Sequence, residues 1–132
     1  MLERHIAKVL YVTGFVTLTP LLQFFAPVIN LQLSGLTVGD ATGMLFAQHW
    51  GLMAACFGSL LIYAASRPAL RRPVMLAALV EKLGLVVLIV MGWNTPQLAG
   101  LHVAAFFDGA CVLIYAAYLA MSPAPNLTRN SV

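Results

Sequence analysis

The chain has 132 residues, of which 61% are hydrophobic and 8% charged, with a formal net charge of +3. A single domain of this length needs a charged surface to stay dispersed in water, and seven Lys and Arg with four Asp and Glu do not supply one. The cations lie in short stretches between apolar runs, which is the pattern of membrane topology and argues against a nucleic-acid partner.

The opening MLERHIAK is a polar head carrying Arg4 and Lys8. The apolar run that follows is too long for a signal peptide, lacks a small-x-small cleavage site and precedes further apolar runs, so it reads as a first transmembrane helix over about 9–29. Pro20 removes one backbone donor inside it, which predicts a kink and a freed carbonyl at Val16 for Thr17 or Thr19 to satisfy. Residues 30–43 form a connection without Lys or Arg. Gly35, Gly39 and Asp40 mark turns there, and Asp40 is placed to cap the next helix.

The second span runs over about 44–65. Its Gly51, Ala55 and Gly58 recur at i, i+4 and i+7, a stripe of small residues that admits another helix at close range. Cys56 and Cys111 fall inside apolar segments with no CxxC spacing and read as small packing residues. In SRPALRRP, Pro73 suits the first position of a third span over about 73–93.

That third span holds Glu81 and Lys82 near its middle. Each charge costs roughly 2.5–3.5 kcal/mol at a helix centre, while Leu, Ile and Val return about 0.3–0.6 kcal/mol apiece, so the segment is close to break-even alone. It therefore needs a bundle that gives those charges polar neighbours. Trp93 sits at an interfacial level; Thr95 is a candidate N-cap and Pro96 a first helical residue for a fourth span over about 97–120. Residues 123–132 read as a polar cytoplasmic tail beyond one domain spanning 1–122. Arg4, Lys8, Arg67, Arg71, Arg72 and Arg129 alternate with loops that have no Lys or Arg. The expected fold is an all-α, antiparallel bundle of four transmembrane helices with both termini cytoplasmic.

Depth along the spans sorts the polar side chains into two layers. Gln23, Gln48, His49 and Asp108 fall in the outer half, with Glu81 and Lys82 near mid-depth. The expected catalytic set is His49 and Asp108 as an acid/base pair with Glu81 as a protonated donor. Gln23, Gln48, Trp50, Lys82 and Tyr115 are candidate ligand contacts. Glu81 shares a stripe with Ala77, Ala78 and Gly84, Asp108 with Ala104, Ala105, Cys111 and Tyr115, and His49 with Met53, Cys56 and Tyr63. A charge facing lipid is expensive, so each stripe is expected to face inward. Blander readings stand beside these: Lys82 snorkelling to headgroups, and His49 with Asp108 as glue between helices. HExxH, CxxC, GxSxG and phosphate-cradling Gly loops are absent, no metal site is indicated, and the cofactor is unknown.

The stretch HWGLMAACFGSLLIYAASRPALRRP, with the four-span plan around it, resembles the small four-helix bacterial membrane proteins of the DoxX-like type. The resemblance implies a membrane subunit that partners a quinone-linked oxidoreductase. The chain departs from that pattern in lacking an Arg/Gly-rich motif in its first span, and no residue role carries over. The expectation is an inner-membrane protein whose bundle interior binds or processes a small lipophilic molecule, as an isomerase, a cyclase or an accessory subunit. The alternatives are a proton-coupled transporter and a structural subunit of a homo-oligomer or larger membrane complex.

Overall fold

The computed structural model describes residues 2–122, with side chains from His5 onward. The tail 123–132, with Arg129, and the Arg4 side chain lie outside the described residues. The described residues are all-helical: α1 (Leu2–Leu18), α2 (Leu21–Phe25), α3 (Pro27–Leu33), α4 (Ala41–Ala65), α5 (Pro68–Met91), a 3₁₀ helix (Pro96–Leu101) and α6 (His102–Met121). Four segments are long and apolar enough to cross a membrane: His5–Phe25, Ala41–Ala65, Pro68–Met91 and Pro96–Met121.

The first expected span departs most from its reading. It is helical from residue 2, and instead of one kink it has two breaks, at Thr19–Pro20 and at Ala26. Pro20 cannot donate to the Val16 carbonyl, which instead accepts from the Thr19 amide (3.1 Å) and the Thr19 hydroxyl (2.7 Å). Ala26 is pulled out of helical geometry (φ −133°, ψ 63°) by Pro27, which starts α3. This second break frees the Phe24 carbonyl, which accepts from the Gln48 side-chain amide at 3.1 Å. The helix then runs on into the expected connection, to Leu33. There Gly35 (φ 67°) ends it with a Schellman pattern, Leu36 N–H to Leu31 O and Gly35 N–H to Gln32 O.

Asp40 caps α4 as expected, its Oδ1 accepting from the Gly43 amide at 2.5 Å. The third helix begins at Pro68, because Arg67 before it is held extended (φ −128°, ψ 89°), and Pro73 lies inside the helix instead of opening it. Thr95 precedes Pro96, but its side chain makes no cap, and the fourth helix opens as a 3₁₀ turn.

Packing divides the bundle into two pairs, α1 with α4 and α5 with α6, joined mainly by α4 against α5. The first seam is built from glycines. A Cβ on Gly58 would come within 2.7 Å of the Gly14 carbonyl and the Leu18 amide, and one on Gly51 within 2.6 Å of the Pro20 carbonyl. Ala55 is buried between them. Gly84 differs: it is exposed and a Cβ there meets nothing, so the Ala77–Ala78–Gly84 stripe is not a helix contact apart from buried Ala78. Cys111 is buried in the core, whereas Cys56 is exposed.

One half of the bundle is tightly filled. Ile6, Leu10, Leu61, Met75, Cys111 and Tyr115 form a buried cluster there, and the Thr13 hydroxyl and Tyr115 phenol bond at 2.6 Å between α1 and α6. At that end Arg71 donates to the last α4 carbonyls, Ala64 (3.4 Å) and Ala65 (2.7 Å), and Arg72 donates to the Ser122 carbonyl after α6. Guanidinium groups there satisfy carbonyls that have no partner within the helix and oppose its negative dipole end.

Gly58→Leu is expected to lower the thermal stability of the detergent-solubilised protein by about 1–3 kcal/mol or to prevent folding, since backbone lines both sides of the seam. Gly84→Leu is expected to leave it unchanged within about 0.5 kcal/mol. Thermal unfolding followed by circular dichroism measures both.

Candidate functional site

The other half of the bundle is open. Between the two helix pairs lies a cavity of about 370 Å³, walled by Val16 and Pro20 from the first span, Trp50 and Ala54 from α4, Leu85 from α5, and Val103 and Phe107 from the fourth. A second space of about 180 Å³ adjoins it, sharing Thr19, Pro20, Ser34, Trp50, Gly100 and Ala104. Gly100 has no side chain to keep the 3₁₀ helix from the Ser34 carbonyl, and this contact brings the α3–α4 connection against the fourth span.

Three ionisable side chains reach the main cavity: Glu81, Lys82 and Asp108. Lys82 does not snorkel. It is 2% exposed, and its Nζ donates to Oδ1 of Asp108, itself 6% exposed, at 2.5 Å. The ammonium also stands 5.5 Å from the centre of the Phe107 ring. Glu81, one residue earlier and about 100° around the helix, lines the same cavity without joining the pair by a hydrogen bond at its Oε2. Its Oε2 is buried without a hydrogen-bond partner. On the opposite wall, Thr17 is 6% exposed and its Oγ1 also lacks a partner.

The expected pairing of His49 with Asp108 does not form. His49 is exposed, and Met53, Cys56 and Tyr63 on its stripe are exposed with it. The reason lies in the helix itself: α4 turns its glycine face to α1, and His49 is two residues, about 200°, from Gly51. Asp108 is left to Lys82, and the 3₁₀ opening of the fourth span favours that partner. Six residues rising about 2.0 Å each instead of 1.5 Å carry Asp108 roughly 3 Å further from the α5–α6 turn.

The remaining candidates divide between scaffold and wall. Gln23 donates to the Ala47 carbonyl (2.5 Å) and accepts from Asn30 (3.0 Å), tying α2, α3 and α4 together. Gln48 is taken up by the Phe24 carbonyl, and Tyr115 by Thr13 in the filled half, outside the cavity. Trp50 lines both spaces. His102 stacks on Trp93 at 3.8 Å. Thr17 reads in the sequence only as a partner for the carbonyl freed by Pro20; its i, i+4 relation to Thr13 on a buried stripe is the signal that points inward. Among the described residues no group of three or more His, Cys, Asp or Glu is placed to hold a metal ion.

The described residues together define an all-helical bundle, four of its segments long and apolar enough to cross a membrane, with an ion pair and an unpartnered carboxyl oxygen at its cavity. Comparison with protein families, curated proteins and solved structures returns no match to this chain.

Breaking the buried pair leaves one charge uncompensated, so Asp108→Asn or Lys82→Met alone is expected to cost about 3–5 kcal/mol. The double replacement Lys82→Met with Asp108→Leu should recover most of that loss. His49→Ala combined with Asp108→Asn should be additive within about 0.5 kcal/mol, because the two do not touch. Denaturation in one detergent of the unmodified protein, the four single variants (Lys82→Met, Asp108→Leu, Asp108→Asn and His49→Ala) and the two doubles completes both cycles.

Proposed function

We propose that the chain is a multi-pass protein of a bacterial inner membrane whose cavity binds a small lipophilic molecule entering from the outer half of the bilayer. Its four spans alternate in direction, with both termini in the cytoplasm. Two observations favour this orientation. Arg67, Arg71 and Arg72 follow α4 directly, and the Arg72 contact with Ser122 brings the end of α6 to the same end of the bundle. The positive-inside rule assigns that end to the cytoplasm, so the cavity half is the outer one.

The observation that carries the binding role is the cavity itself. Its wall is mostly apolar and its polar groups are few and convergent, the usual make-up of a site for a small organic ligand. A bundle held only by structural glue would close this half as it closes the other. The reaction these side chains themselves could serve is proton transfer, as in isomerisation or ring closure, with Glu81 rather than His49 as the group at the cavity to move the proton. The quinone-linked partnership implied by the DoxX-like resemblance would put a neutral head in the cavity; the charge of the site favours another class.

In a background lacking both native cysteines, single cysteines at positions 37 and 94 are expected to react with a membrane-impermeant maleimide in intact cells. A cysteine at position 69 should react only after permeabilisation, and labelling of 69 from outside overturns the orientation. For the cavity, native mass spectrometry of the purified protein should reveal a bound small lipophile. Ala104→Phe, which fills the space, should remove it while the protein stays monodisperse and helical. Retention of the same lipophile by Ala104→Phe would place it elsewhere.

A further inference from the structure

The cavity has an unbalanced charge. Its ionisable side chains are two carboxyls, Glu81 and Asp108, and one ammonium, Lys82. Lys82 and Asp108 neutralise each other at 2.5 Å. Glu81 is then the odd charge, with Oε2 buried and unpartnered, and the walls from α1 and α4 bring no ionisable side chain against it. An ionised carboxylate in such an interior must gain either a proton or a cation.

The opposite wall says which kind of cation. The Thr17 hydroxyl is deeply buried, faces the cavity and has no partner, so it offers lone pairs to a donor. Trp50 and Phe107 add aromatic rings, which attract cations and accept apolar bodies alike. An anionic head finds no free positive charge here, and a neutral head leaves Glu81 to be neutralised by a proton.

Building on the cavity-binding reading, we infer that the ligand is a lipophilic amine in its ammonium form, its N–H groups shared between the Glu81 carboxylate and the Thr17 hydroxyl, in competition with a proton on Glu81. The exchange is balanced in charge: one proton leaves Glu81 for each ammonium bound. Lys82 and Asp108 stay paired throughout.

The test uses three probes of one shape: phenethylammonium, its neutral counterpart propylbenzene, and the anion 3-phenylpropionate. Binding is measured by equilibrium dialysis against the full-length protein in nanodiscs, with protein-free nanodiscs as blank, between pH 5 and 8. The amine keeps its charge across that range, as an alkylammonium titrates near 10. The expected order is ammonium well above the neutral probe, with the anion at the blank. Ammonium affinity should climb with pH, approaching tenfold per unit where Glu81 is protonated, and level off above its titration. Glu81→Gln should abolish that climb, and Thr17→Val should weaken binding about fivefold while keeping it. Each variant is checked for helicity and monodispersity. The pH profile of the unmodified protein stands without any variant. Equal binding of ammonium and propylbenzene, or a flat pH profile, overturns the amine assignment while leaving a lipophile site intact. Failure of all three probes to exceed the blank overturns both.

Discussion

The contact on which this molecule depends is the ion pair between Lys82 and Asp108. Each residue alone would carry an uncompensated charge into a bundle interior that offers few other polar groups. Together they remove that cost and, at 2.5 Å, fix the register of α5 against the fourth span. A shift of one residue along either helix would move a side chain about 100° around its axis and break the contact. The pair also stands at the boundary between the filled and the open halves, so the element that aligns the hairpin is also part of the cavity wall.

The two halves differ because their seams are built from different residues. Gly14 and Gly58 bring α1 into backbone contact with α4, and Gly51 does the same for Pro20 and α2, a packing that leaves no room along this seam. Such contact draws the first span toward α4 and away from α5 and α6. In the filled half the resulting gap is closed by large side chains, Tyr115 above all, with its phenol anchored on Thr13. In the open half small residues, Ala54, Gly100 and Ala104, stand among the larger ones of the wall, and the first span is broken at Pro20. The cavity is thus the consequence of tight packing elsewhere. The breaks that shape it are each accompanied by a side chain that supplies a missing donor, Thr19 at one and Gln48 at the other.

Hydropathy and helix punctuation make the four spans readable in the sequence. Asp40 as a cap and the glycine stripe of the second span were also visible, because each acts through its immediate neighbours. The faces were harder. In a helix apolar almost all round, no polar side marks the outside, so periodicity does not say which stripe is buried. His49 and the Gly51–Ala55–Gly58 stripe cannot both face inward, since they lie on opposite sides of one helix. The glycines decide the matter, because close backbone approach is available only to them. Gly84 shows the converse: a small residue on an exposed face, where its size serves no contact. The partner of Asp108 was hidden for another reason. Depth counted at a uniform α-helical rise misplaces it, and nothing but the Pro96 start hinted that the first six residues of the fourth span are wound more tightly.

Chain order adds a temporal side to the ion pair. Lys82 leaves the ribosome 26 residues ahead of Asp108. While only the third hydrophobic segment has emerged, Asp108, the carboxylate its ammonium pairs with in the folded bundle, has not yet been made. The favourable state of this segment is therefore reached only once the following one is made, which turns two sequential segments into a single hairpin for the machinery that places them. The short stretch Gly92 to Thr95 between them keeps that interval brief. The guanidinium of Arg71, by contrast, donates to carbonyls six and seven residues behind it, contacts whose partners are already made when it is synthesised.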